Sequence, residues 1–138
     1  MSASFVVDAS VGFAWVHQSQ ATAETDILLD EIGNGATVVV PALWYLEMSN
    51  ILLMAQRRHR LTAMQRKAAM EELAALQFLV DEEGARNAFG KTSELADEHG
   101  LTIYDATYLE LALRRSLPLA SRDEALRKAA RNCALKIL

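Results

Sequence analysis

The stretch Phe5-Val6-Val7-Asp8-Ala9-Ser10 decides the fold. Its first three residues form a short apolar run of the kind that suits a strand buried on both faces, and the run stops at a carboxylate. Val11, Ala14 and Trp15 follow at helical spacing, which predicts a helix through Val16 with Ser10 as its cap. Asp8 therefore stands at the carboxyl end of a strand, just before a helix start. In open parallel sheets that edge is where ligands bind.

The same grammar recurs along the chain. Ala21 to Ile32 reads as a helix with Ala23, Ile27, Leu28 and Ile32 inward, ended by Gly33, Asn34 and Gly35. Thr37 to Val40 is a second buried strand, closed by Pro41, which opens a helix over about Ala42 to His59. Leu43, Leu46, Asn50, Ile51 and Met54 fall on one side of that helix, with Glu47 among them. Thr62 caps a helix reaching about Gln77, with Met64, Ala68, Leu73 and Leu76 inward, and Phe78 to Val80 is a third strand. Asp81 to Glu83 reads as a solvated turn, and Ala85 to His99 as a helix with Phe89 inward. Tyr104, Tyr108, Leu111 and Ala112 then make one stripe of a helix whose first turn carries Asp105. Leu117 to Ala120 is another strand, Ser121-Arg122-Asp123 its junction with a helix, and Ala134 to Leu138 an edge strand. Strands alternating with helices predict a mostly parallel, roughly five-stranded sheet covered on both faces, an α/β fold of three layers formed by residues 1–138 as one domain.

Composition narrows the class. With 51% hydrophobic residues, two prolines and six glycines among 138, the chain can bury a sizeable core. A single cysteine, Cys133, excludes an internal disulfide framework and fits a reducing cytoplasm. No run approaches the ~20 apolar residues that span a bilayer, and Asp8 interrupts the only candidate leader, so a cytoplasmic protein without a membrane role is expected. The net charge is −4, but its distribution is uneven. Residues 1 to 56 hold no Lys or Arg, five cations lie between Arg57 and Lys67 with no acid among them, and seven cations from Arg114 onward face only Asp123 and Glu124. Local basic surface beside an acidic centre suits a partner rich in phosphate.

Asp8 and Asp123 end strands, Asp105 opens a helix, and Glu47 lies early in a helix that follows a strand. One sheet edge can gather all four. Four carboxylates within a few ångströms repel strongly unless a cation neutralises them. Oxygen ligands select Mg²⁺ or Mn²⁺ over zinc, since His17, His59 and His99 are scattered and there is no Cys cluster. Such a centre activates water and stabilises phosphoryl charge, which predicts phosphodiester hydrolysis without a protein nucleophile. The plainer readings are that Asp105 caps its helix, that Glu47 is an exposed edge residue, and that the chain is a binding module whose acids pair with Arg. A haloacid-dehalogenase-type phosphatase would need a second acid where Ser10 stands. A receiver domain would need adjacent acids before the first strand, and a dinucleotide site a Gly-rich turn after it.

Val6 to Ser10, Pro41 to Asn50 with Glu47, Tyr104-Asp105-Ala106 with Tyr108, and Ser121-Arg122-Asp123 together resemble the PIN-domain ribonucleases, most closely the VapC-like toxins of prokaryotic toxin–antitoxin pairs. The resemblance implies a five-stranded parallel sheet, a Mg²⁺ or Mn²⁺ site, RNA as substrate, a homodimer, and a VapB-like antitoxin that covers the site in a hetero-oligomer. It assigns Asp8, Glu47 and Asp105 as core acids, Asp123 as a fourth, Ser121 as a supporting hydroxyl and Asn50 as a polar helper, with Ser10 beside Asp8. Arg122 either touches a substrate phosphate or points to solvent. A solitary PIN-domain nuclease of RNA processing is the alternative.

Overall fold

Apolar, β-branched runs pair side by side to make the middle layer. The computed structural model describes residues 3–138. Its strands β1 (Ser4–Val7), β2 (Thr37–Pro41), β3 (Leu79–Asp81) and β4 (Leu119–Ala120) form one parallel sheet in the order β3-β2-β1-β4. Val6 lies opposite both Val39 and Leu119, Val7 opposite Ala120, and Pro41 opposite Asp81. This register aligns the carboxyl ends of all four strands along one edge, where Asp8, Asp81 and Ser121 are found. The expected fifth strand is reduced to a single parallel bridge between Ile137 and Leu119. Four strands, rather than five, carry the fold.

Seven α-helices flank the sheet among the described residues: α1 (Ala9–Val16), α2 (Ala23–Gly33), α3 (Leu43–Arg57), α4 (Ala63–Ala74), α5 (Lys91–His99), α6 (Ile103–Arg115) and α7 (Glu124–Asn132). α1 packs on α2, α3 and α4, while α6 packs on α5, α7 and the strands β1 and β2. Among the described residues no helix is long and apolar enough to cross a membrane. Phe5, Val6, Val7 and Val40 from the sheet, Trp44 and Leu52 from α3, and Tyr108, Leu109 and Leu111 from α6 are almost wholly buried. Each large apolar side chain so buried stabilises the fold by roughly 1.5–3 kcal/mol.

Several inward faces differ from expectation. In α3 the buried positions are Trp44, Met48, Leu52 and Ala55, whereas Leu46 is 72% exposed and Asn50 is also exposed. The helix is apolar nearly all round, so periodicity alone does not fix its phase; Gly12 of α1 does. A Cβ on Gly12 would sit 2.7 Å from Trp44 Cζ2 and 2.8 Å from Met48 Sδ, so the bare backbone is what admits the Trp44 face. Met64 and Ala68 of α4 are exposed while Ala69 and Leu73 are buried, and Ala23 and Ile27 of α2 face solvent. Tyr104 is exposed as well. The expected helix from Ala85 splits into a 3-10 turn, Gly84–Asn87, and α5, with Gly90 at the junction and Phe89 fully exposed.

Asp81 belongs to no solvated turn. It is buried at the end of β3, and Arg114 of α6 grips it through two hydrogen bonds of 2.9 and 2.7 Å while Arg115 adds two more at 3.1 and 3.3 Å. Arg114 also binds Glu110 at 2.8 Å, so one guanidinium ties β3 to α6. The Arg114 hydrogen bonds hold the Asp81 carboxyl below its ordinary value against the opposing effect of burial, with Arg115 assisting.

The packing of Gly12 gives a direct test. Gly12→Ala improves helix propensity by about 1 kcal/mol, yet crowding Trp44 and Met48 should outweigh that gain, for a net loss of about 1–3 kcal/mol. A lower urea midpoint at unchanged slope is expected. An equal or higher midpoint would mean the indole can retreat.

Candidate metal centre

β1 delivers Asp8 to the sheet edge, where its main chain is fixed from two sides. Its N–H donates to the Ala120 carbonyl at 3.1 Å, and its carbonyl accepts from the Trp44 indole at 3.1 Å. The carboxylate is buried, and both of its oxygens accept hydrogen bonds. Oδ1 accepts from the Ser10 hydroxyl at 2.5 Å and from the Val11 N–H at 3.3 Å, and Oδ2 accepts from the Ser121 hydroxyl. Asp8, not Ser10, thus caps α1. Each serine is itself oriented by an incoming N–H, from Arg122 onto Ser10 Oγ at 2.9 Å and from Asp123 onto Ser121 Oγ at 3.0 Å. A hydroxyl oxygen that accepts from an amide turns its own hydrogen toward the carboxylate.

The other acids arrive on helices. Asp123 caps α7 by accepting from the Leu126 N–H at 3.0 Å. Thr102 caps α6 by accepting from the Asp105 N–H at 3.1 Å, so the Asp105 carboxylate is not the cap of that helix. Glu47 is half-buried on α3, and its Oε1 accepts from the Tyr108 hydroxyl at 2.5 Å. Burial, with the charge of Glu47 added, pushes the Tyr108 hydroxyl far above the ordinary tyrosine range, so it stays protonated and can only donate there. Tyr108 was expected only as core. Its place one turn after Asp105, on the same helix face, was the signal of a second role.

The acids sense one another. Burial raises the Asp8 carboxyl; Ser10, Ser121 and Val11 oppose it, and the Asp105 charge raises it further. Glu47 is raised by burial, lowered by Tyr108, and raised again by Asp105 and Asp8. Asp105 is raised by burial and by Asp123, with Thr102 opposing. Among the described residues no Lys, Arg or His forms an ion pair with any of these four acids, although Asp81, Glu83, Glu110 and Glu124 all have Arg partners. Glu47 Oε2 and Asp123 Oδ1 have no hydrogen-bond donor among the described residues.

An uncompensated all-oxygen donor set fits a hard divalent cation such as Mg²⁺ or Mn²⁺. Among the described residues, no three His, Cys, Asp or Glu side chains stand close enough to enclose an ion by themselves. Magnesium retains several of its waters and takes one or two carboxylates directly, so Coulombic neighbours around a hydrated ion match its chemistry. Asn50 is exposed and makes no hydrogen bond within this group among the described residues. The Arg122 backbone joins it through Ser10, whereas the Arg122 guanidinium turns away to the Gln20 carbonyl.

Two of three comparisons with known proteins find relatives of this fold. The PIN domain family model matches residues 5–132. No curated protein is similar enough to the sequence to count as a match. Among solved structures, PAE2754 from Pyrobaculum aerophilum is similar with a TM-score of 0.69 and 24% identity, over 94% of this chain and 87% of that one. VapBC2 from Rickettsia felis, solved bound to a DNA fragment from their promoter, gives a TM-score of 0.69 at 10% identity, over 98% and 97% of the two chains. VapBC-5 from Mycobacterium tuberculosis, a member of the VapBC family of toxin-antitoxin systems, gives 0.58 at 21% identity, over 99% and 98%. At these identities the likeness is one of fold.

The raised carboxyls set a pH dependence. Asp8, Glu47 and Asp105 hold a proton more tightly folded than unfolded, so they cost stability at neutral pH, and that cost is relieved as pH falls toward their ordinary values of 3.8 and 4.5. Metal-free protein should therefore melt higher near pH 5 than at pH 7.5. Asp105→Asn in EDTA at pH 7.5 should raise Tm by roughly 2–6 °C, and the further rise that Mg²⁺ or Mn²⁺ gives the unaltered chain should vanish in it. A Tm indifferent to pH, cation and substitution would mean the acids do not share one field.

Proposed function

The chain belongs to the PIN domain family, and from that premise we propose that it is a Mg²⁺- or Mn²⁺-dependent endoribonuclease, the toxin of a toxin–antitoxin pair. The observation that carries this reading is the group of four acids at the sheet edge with no ion-pair partner. PIN domains are generally nucleases that use divalent ions, and two of the similar folds come from VapBC systems.

In this reading Asp8, Glu47 and Asp105 would surround a hydrated cation, meeting it directly or through its waters, with Asp123 as a fourth, outer acid. When bound, the ion would lower the pKa of a water and neutralise charge on the phosphoryl oxygens. The chain's own residues supply the positioning. Ser10 and Ser121 fix both oxygens of Asp8, and Oδ2, with a single donor, keeps acceptor capacity for an ion or its water. Tyr108 restrains one oxygen of Glu47 and leaves the other available. The sheet excludes water from behind Asp8, so its charge acts undiluted at the mouth. RNA is the substrate we assign, and the exposed cations Arg57, Arg58, Arg60 and Lys67 support a polyanionic partner. A VapB-like antitoxin covering the site, a homodimer, and a toxin–antitoxin hetero-oligomer in the cytoplasm complete the proposal, with residues 1–138 acting as one domain.

Incubation of the partner-free protein with total RNA and Mn²⁺, followed by mapping of new ends, tests the reading. Asp8→Ala should keep the fold by circular dichroism and lose more than the 10- to 100-fold that even an indirect ligand partner costs. Ser121→Ala should raise the Mn²⁺ concentration needed for half-maximal cleavage by about tenfold, and Ser121→Thr should restore it. Undiminished cleavage by Asp8→Ala would refute the proposal.

A further inference from the structure

Beside the acids lies an open cleft of about 330 Å³ lined by Ser10, Phe13, Gln20, Arg122 and Asp123. The volume falls in the range of small-ligand sites, room for one nucleotide and not for a duplex. Phe13 gives its lining an aromatic side chain and Gln20 an amide. Gln20 Oε1 faces the Arg122 guanidinium at 3.5 Å, which leaves the Gln20 NH₂ to donate elsewhere. An aromatic face with an amide donor and a cation is the set that stacks a base, reads its edge and meets its phosphate.

This cleft does not stand alone. The Phe13 ring lies 5.0 Å from the ring of His17. His17, Gln18 and Ser19 line a second cleft of about 370 Å³, whose far wall is Arg60, Leu61 and Gln65 and whose one acid is Glu72. Arg60, Leu61 and Gln65 in turn line a third, of about 390 Å³, together with His59 at the turn between α3 and α4. Arg57, Arg58, Arg60 and Lys67 around that turn are exposed and form no ion pair among the described residues. The rise of α3 from Glu47 to Arg57 is about 15 Å, the reach of a few nucleotides.

We propose that these three clefts are one track for single-stranded RNA. The nucleotide next to the cleaved bond sits between Phe13, Gln20 and Arg122, and the strand runs over His17 to Ser19 toward the cations of the α3–α4 turn. The track rests on the nuclease reading only for which bond is cut; its binding stands separately. It explains how a chain of net charge −4 can hold a polyanion, since the attraction is placed a few nucleotides from the acids.

Anisotropy of a labelled 12-nucleotide single-stranded RNA, in EDTA and in the Asp105→Asn background, reads binding without cleavage. Arg60→Glu should weaken binding about tenfold and flatten the salt dependence by about one unit of slope. Phe13→Leu and Gln20→Ala should each weaken it severalfold to tenfold or more at unchanged slope, because stacking and base contacts release no counterions. Lys91→Glu, an equal charge change at the start of α5, should leave it unaltered, and the same sequence closed into a hairpin duplex should bind more weakly. If Arg60→Glu behaves as Lys91→Glu does, or the duplex binds as well as the strand, the track is wrong, even if Mn²⁺-dependent cleavage is intact. If the strand binds as described and no cleavage occurs with Mn²⁺, the track stands and the nuclease reading fails.

Discussion

A buried carboxylate that no cation among the described residues answers is the constraint on which this structure turns. Asp8 follows β1 and Asp81 ends β3, the two parallel strands that flank β2 in the same sheet, and both are nearly inaccessible. The fold treats them oppositely. Asp81 is answered within the chain by Arg114 and Arg115, which lowers its proton affinity and makes it a clamp between β3 and α6. Asp8 receives only hydroxyl and amide hydrogens, which satisfy its oxygens without cancelling its charge. The β1–β4 pairing, the Ser121 and Ser10 hydroxyls and the Trp44 indole all serve to keep that arrangement in place. Two aspartates of similar burial are thus distinguished by who faces them: one is structural, and the other leaves a field to be used.

Much of this was legible in order along the chain. Short apolar runs ending at Asp8, Pro41 and Ser121 gave away the parallel sheet and the edge at which the acids collect. Helix phase was less legible. In α3 apolar residues fall on every side of the helix, and the choice of Trp44 over Leu46 is made by Gly12, thirty-two residues earlier in the sequence and in contact only after folding. Asp81 reads as part of a solvated turn because its Arg partners come from α6, and no local pattern announces a long-range ion pair. Thr102 rather than Asp105 as the cap of α6 was hidden for a different reason, since both residue types cap helices and three positions separate them. The fifth strand failed because Ala134 takes a left-handed conformation at φ 59°, which turns the chain so that it meets β4 at one residue only.

Electrostatics and shape divide the labour across this small molecule. The acids are concentrated where the strands end, the free cations where α3 meets α4, and the neutral amides and hydroxyls of the α1–α2 connection lie between. Net charge therefore says little about what the surface attracts. Arg122 illustrates the economy, since its N–H orients Ser10 and its guanidinium ties down the Gln20 carbonyl, linking the connection to the acid cluster.

The brevity of the outer strands has a consequence for how copies of this chain can meet. β3 offers three residues at one border, the last locked to arginine, and the border beyond β4 is already taken by the bridge from Ile137. Neither presents the long row of unpaired amides and carbonyls that templates growth of a sheet from one molecule into the next. Stacking into extended ribbons is thereby discouraged by geometry, and self-association falls to side chains on helical surfaces, where it can saturate at a small, closed number of subunits.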